Sequence, residues 1–210
     1  MFRSPNGGKK MGLKWLSCGI SKKYQPENKN PETCALTPML NNQQLLMRTL
    51  FLIRHAKSSW DHSGLRDFDR PLNERGLHEA PLMAQVLVQA GIQPDLLVSS
   101  PAKRAWTTAL FFATAFDIRE EAVQPESNIY EADPPDILRL IGQLPDQANT
   151  VFLFGHNPTF TEVANRFAKK HIENVPTCGI VHIESEADSW AVFEESNATV
   201  RQQYFPKETL

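Results

Sequence analysis

Two histidines and two arginines in this 210-residue chain stand where a fold could gather them around one phosphoryl group. Arg54 and His55 end the apolar run Leu50-Phe51-Leu52-Ile53. His156 follows a second such run, Val151-Phe152-Leu153-Phe154, within Gly155-His156-Asn157-Pro158. Arg104 falls in the first turn of the helix that Ser100 and Pro101 would open as N-cap and N1. Each guanidinium can hold two phosphate oxygens through its planar fork. A neutral imidazole can attack phosphorus and carry it as a phosphohistidine. A second imidazole can stabilise the oxygens of the group in transit, and the free N–H groups of a helix start favour an anion. Taken singly, each fragment also reads as an ordinary strand end, helix start or turn. The chemistry rests on all three occurring at strand ends in one domain.

Short apolar runs closed by polar residues suit strands buried on both faces, and the carboxyl edge of an open α/β sheet is where ligands bind. Between the two runs the pattern alternates. Asn73 reads as the N-cap of a helix carrying Leu77, Ala80, Ala84, Leu87 and Val88, with Pro81 expected to kink or split it and Gly91 to close it. Residues 95–99 read as a strand, 101–116 as a helix and 123–125 as a weak strand. Asp133 and Pro134 start a helix that reaches residue 143, and Pro158 opens one to residue 168. Residues 179–183 and 190–193 read as an antiparallel hairpin at a sheet edge. The order β-α-β-α-β-α-β-α-β-β predicts an α/β fold: a three-layer α/β/α sandwich with a mostly parallel sheet and an antiparallel edge hairpin.

Composition narrows the function classes. Hydrophobic residues make up 41% of the chain, enough for one sizeable core, and the net charge of −2 gives no global attraction to nucleic acid or an anionic membrane. Arg3, Lys9, Lys10, Lys14, Lys22, Lys23 and Lys29 face only Glu27 and Glu32 in residues 1–46, so this stretch is basic and the remainder acidic. An anion site must therefore be built locally. Residues 1–46 lack periodicity and a secretory apolar region, and are expected to form a disordered extension. A translation start at Met47 and a basic targeting or interaction tail are the other readings. The domain is expected to span 47–210. Cys18, Cys34 and Cys178 are odd in number and include no C-x-x-C, which argues against disulfides and a structural zinc site and fits a reducing, cytoplasmic compartment. Neither a membrane span nor a clustered metal-ligand set is visible, so no metal or cofactor is expected.

The segments Leu52-Ile53-Arg54-His55-Ala56, 99–109 (Ser-Ser-Pro-Ala-Lys-Arg-Ala-Trp-Thr-Thr-Ala) and Gly155-His156-Asn157-Pro158 resemble the histidine phosphatase superfamily, which includes the phosphoglycerate mutases. Arg54-His55-Ala56-Lys57-Ser58-Ser59-Trp60, followed by Asp67-Phe68-Asp69-Arg70-Pro71-Leu72, is similar to its SixA branch of phosphohistidine phosphatases. The resemblance covers residues 48–194 and implies a phosphoglycerate mutase-like fold. It implies His55 as the phosphorylated nucleophile, Arg54 and Arg104 as the phosphoryl clamp, and His156 as the second histidine of the pocket. Ala56 stands where the family most often has glycine. Larger members carry an acidic proton donor on an inserted segment; here that segment is short, and Glu131 is the candidate, with a solvated loop carboxylate as the alternative.

Lys57 and Ser58 lie close enough in sequence to touch the phosphate. Asp67, Asp69 and Arg70 are read as holding their loop by ion pairs, and His62, His78, His171 and His182 as surface or core residues. Two in-line displacements follow, for which His55 must be neutral with one ring nitrogen held by a backbone carbonyl. Its neighbouring arginines would favour that form. The expected substrate is a phosphohistidine-bearing protein. Small phosphate esters or anhydrides are the alternative, and a non-catalytic phospho-ligand module the second. A mutase is disfavoured, since it needs a closed pocket.

Overall fold

The two apolar runs that end in histidines lie side by side. In a computed structural model describing residues 47–61 and 64–210, β1 (Arg48–Arg54) pairs in parallel with β4 (Thr150–Gly155), in register from Thr49 opposite Thr150 to Arg54 opposite Gly155. Adjacent parallel strands in this register deliver His55 and His156 at the same level of the carboxyl edge. The sheet order is β3-β2-β4-β1-β5-β6. β2 (Leu96–Ser99) and β3 (Gln124–Pro125) extend the parallel part, and β5 (Ile180–Ser185) and β6 (Ala198–Tyr204) form the antiparallel edge.

Side chains alternate across the central strands, so each face has its own core. Leu50, Leu52, Val151 and Leu153 face one way, toward Ile137 and Ile141 of α3 (Pro134–Ile141) and Phe160 and Val163 of α4 (Thr159–Phe167). Phe51, Ile53, Phe152 and Phe154 face the other, toward Met83 and Leu87 of α1 (Glu74–Gln89) and Phe112 of α2 (Lys103–Ala115). The three-layer α/β/α sandwich with its antiparallel edge is thus present, closed by a short terminal α5 (Pro206–Thr209). Among the described residues no helix is long and apolar enough to cross a membrane. The expectations for residues 1–46, Cys18, Cys34 and His62 lie outside the described residues.

Three local expectations need correction. Pro81 does not split its helix in two, for α1 runs unbroken from Glu74 to Gln89. The bond it forgoes is to the carbonyl of Leu77 on the exposed side, while Ala80, Met83, Ala84 and Leu87 hold the opposite side in the core. α2 begins at Lys103, with Ala102 at its cap, so Ser100 and Pro101 precede the helix and form the turn out of β2. The second edge strand is 198–204 and not 190–193. Trp190 is fully buried, donates from Nε1 to the Ala148 carbonyl at 2.7 Å and stacks on Phe193, so this apolar segment plugs the end of the core. The true strand, Ala-Thr-Val-Arg-Gln-Gln-Tyr, is polar because as an edge strand it faces water.

Candidate active site

β1 pairing extends past its last residue. His55 N–H donates to the Gly155 carbonyl at 3.0 Å, and the His55 carbonyl accepts from Cys178 N–H at 3.1 Å. The His55 backbone is therefore fixed between β4 and the start of β5. Ala56 N–H donates to Thr108 Oγ1 at 3.0 Å, and that hydroxyl donates to the Arg104 carbonyl at 2.7 Å, tying the loop after β1 to the first turns of α2. The side chain of His55 is buried, with Nδ1 2.8 Å from the Ala56 carbonyl. A carbonyl can only accept, so Nδ1 carries the proton and Nε2 is the bare nitrogen.

The His156 ring lies 5.2 Å from that of His55, centroid to centroid. Burial is the main cause that lowers both histidines to about 3. For His55 the bond to the Ala56 carbonyl works against the shift, and His156, Arg104 and Arg54 add to it. For His156, Arg104 and Arg54 lower further while Asp67 opposes. Desolvation thus outweighs the arginines that the sequence pointed to. Arg54 donates from Nη1 to the Val175 carbonyl at 2.8 Å, with Asn174 Oδ1 at 3.4 Å. Asn157 Nδ2 donates to the same two acceptors, at 3.0 and 2.9 Å. Arg104 donates from Nη1 to the Asp67 carbonyl at 2.7 Å and from Nη2 to Asp67 Oδ2 at 2.9 Å. Among the described residues, Arg54 Nε, His156 Nδ1 and Asn157 Oδ1 are buried atoms without a hydrogen-bond partner.

Arg54, His55, Arg104 and His156 are thus brought together. The other expected residues are placed differently. Ser58 Oγ accepts from Arg70 Nη2 at 2.6 Å and its backbone bridges to Leu72, so Ser58 braces the loop rather than facing an anion. The Lys57 backbone carbonyl accepts from Asn73 N–H at 2.9 Å, and its side chain is half-buried. Glu131 is exposed, with a φ of 57°, and lines a cavity of about 370 Å³ beside Tyr130 and Asp136; it bonds to neither histidine. His78 and His171 are exposed, and His182 is buried and stacked on Phe51. Cys178 is buried, which pushes its thiol pKa up and keeps it inert.

Asp67 does more than the sequence suggested. Oδ1 pairs with Arg70 at 2.8 Å, the expected loop bond, while Oδ2 takes Arg104 and the Tyr130 hydroxyl, the latter at 3.1 Å. Burial would raise this carboxyl, but the hydrogen bonds from Arg70, Arg104 and Tyr130 hold it below the usual range. The Tyr130 ring stands edge-on to His156 at 5.8 Å. The Asp67–Arg70 spacing is local and legible; the bond to Arg104, which joins two distant segments, has no sequence signature.

Gly155 shows how tightly the edge is built. A Cβ there would run into the Phe160 ring and come within 2.8 Å of Ile129 Cγ2. Gly155→Ala is therefore expected to cost about 1–3 kcal/mol of stability in urea unfolding and to lower turnover by displacing His156.

Residues 50–140, from β1 to α3, match the family model of the histidine phosphatase superfamily, branch 1. An uncharacterized chloroplastic protein of Arabidopsis thaliana is 29% identical over 179 residues, covering 78% of this chain and 81% of that one. Phosphoserine phosphatase 1 of Hydrogenobacter thermophilus is 41% identical over 91 residues, 41% of this chain and 40% of that one. The crystal structure of a SixA-type protein from Agrobacterium tumefaciens, named for phosphohistidine phosphatase activity, is similar at a TM-score of 0.63 and 28% identity, covering 75% of this chain and 97% of that one. Over residues 50–140 the chain carries the match to the histidine phosphatase superfamily, and that match supports a phosphatase. Within the superfamily it is similar to the SixA type.

Proposed function

We propose that this phosphatase removes the phosphoryl group from phosphohistidine in a protein, through a covalent intermediate on His55. The observation that carries the reading is the state of His55: Nδ1 is committed to the Ala56 carbonyl, Nε2 is bare, the ring is neutral, and Arg54 and Arg104 lie beside it. Nε2 attacks phosphorus in line, the N–P bond to His55 forms and the bond to the substrate nitrogen breaks. Arg54, Arg104 and His156 hold the phosphoryl oxygens while charge redistributes. Water then attacks the phosphohistidine, and inorganic phosphate leaves.

Two features favour a protein substrate. Between α2 and α3 the chain forms only short 3-10 turns and the two-residue β3, so little backbone is available for a lid. The 3-10 turn that carries Tyr130 to the edge of His156 is itself only three residues long. The leaving group points the same way. A departing imidazole has a pKa of about 6.5 and takes its proton readily, whereas an alkoxide needs a placed acid. Glu131, exposed and next in the chain to Tyr130, is the proposed donor for the harder case. Glu131→Gln is expected to slow hydrolysis of an alkyl phosphate at least about tenfold more than hydrolysis of phosphohistidine, as a general acid contributes at least that much where it is needed.

The phosphoserine phosphatase relative favours a second reading, a phosphatase of small phosphate esters with the same four residues. The deciding experiment measures release of phosphate from a phosphohistidine-bearing protein domain and from an aryl phosphate, with EDTA present and His55→Ala as control. Preference for the protein supports the first reading; turnover of the ester alone replaces it with the second.

A further inference from the structure

We infer that Ser100 is a positioning residue that fixes the tautomer of His156, donating its hydroxyl proton to Nε2 so that Nδ1–H is the donor presented to the phosphoryl group. Ser100 lies in the turn between β2 and α2 and is fully buried. Its backbone is held at both ends: its N–H donates to the Phe154 carbonyl at 3.0 Å, and its carbonyl accepts from the Ser99 hydroxyl at 2.9 Å. Its Oγ stands 2.9 Å from His156 Nε2 and accepts from Ala102 N–H at 3.3 Å.

Those contacts decide the direction of the bond. With the proton on Nε2, Oγ would accept twice and its own buried proton would have no acceptor among the described residues. With the proton on Nδ1, the hydroxyl accepts from Ala102, donates to Nε2 and is fully used. His156 Nδ1–H is then an unspent buried donor, as is Arg54 Nε–H. Two unspent donors match an anion with several oxygens. Because burial keeps His156 neutral at pH 7, the tautomer and not the charge determines what it offers. The two rings are complementary: His55 is held at Nδ1 by an acceptor and presents a lone pair, and His156 is held at Nε2 by a donor and presents a proton.

The tautomer can be read without turnover, so its failure is separable from failure of the phosphatase reading on which its catalytic consequence rests. In 15N-labelled protein at pH 7, multiple-bond proton–nitrogen correlations of the imidazoles report which nitrogen is protonated, with His156 assigned by its loss in His156→Gln. A protonated Nδ1 and bare Nε2 are expected; a protonated Nε2 overturns the inference, even where Ser100→Ala does not fold. In Ser100→Ala the tautomers should mix and inhibition by vanadate weaken about tenfold, the value of one hydrogen bond to a charged group. Ser100→Thr should restore both. An unchanged tautomer in Ser100→Ala, or a full loss of vanadate affinity on adding Ser100→Ala to His156→Gln, would show that Ser100 does not act through His156.

Discussion

Replacement of His55 by alanine is expected to lower kcat/KM on the order of ten-thousand-fold or more, the scale seen when an enzyme loses its nucleophile. The loss should fall on kcat, because Arg54, Arg104 and His156 keep their own anchors at Val175, Asp67 and Ser100 and still bind the phosphoryl group. Quenched in alkali during turnover, wild-type protein should carry one acid-labile phosphate and His55→Ala none. The fold should survive, since the backbone of residue 55 is paired with Gly155 and Cys178 through N–H and C=O that alanine retains. Label on the alanine variant would move the nucleophile elsewhere.

Mild acid should destabilise the protein steeply, well above the pH at which carboxylates titrate. His55 and His156 are held near 3 in the fold, against about 6.5 in the unfolded chain. Between those values the unfolded state binds protons that the folded state refuses, so stability present above pH 6.5 is lost progressively toward pH 3. Each histidine contributes on the order of a few kcal/mol across that window. His182, lowered mainly by burial beside Phe51, adds in the same direction. Urea midpoints at pH 7, 6 and 5 should fall in sequence, and His55→Gln combined with His156→Gln should flatten most of the slope. A wild-type midpoint constant from pH 7 to 5 would mean that the pair is not held neutral by the fold. Catalysis should be less sensitive than stability, because His55 stays unprotonated until well below pH 5.

The central architecture was legible because it follows from strong local patterns. Two short apolar runs closed by histidine gave β1 and β4, and their parallel pairing accounts for the meeting of His55 and His156. Asn73 as N-cap and Gly91 at positive φ were equally readable. The polar edge strand at 198–204 was not, since a half-solvated strand without large apolar residues has almost no periodic signal, while the buried cluster around Trp190 imitates one. Within the site, residue types and strand ends pointed to the four central side chains. What escaped were the partners that orient them: Asn174 and Val175 for Arg54, Asp67 and Tyr130 around Arg104, and Ser100 for His156. These contacts join segments far apart in the chain and use backbone carbonyls or common polar side chains, neither of which marks a site in the sequence. Ser58 was misplaced for the converse reason, as closeness in sequence to His55 does not say which way a loop side chain turns.

The carboxylate of Asp67 has one more effect. It pairs with Arg104 at 2.9 Å, so the site offers an incoming anion less attraction than its arginines alone would suggest. Free inorganic phosphate has only its charge and oxygens with which to compete for that guanidinium. A phosphorylated protein brings additional surface. On the proposed reading, the bond between Asp67 and Arg104 is expected to raise the orthophosphate concentration needed to inhibit turnover.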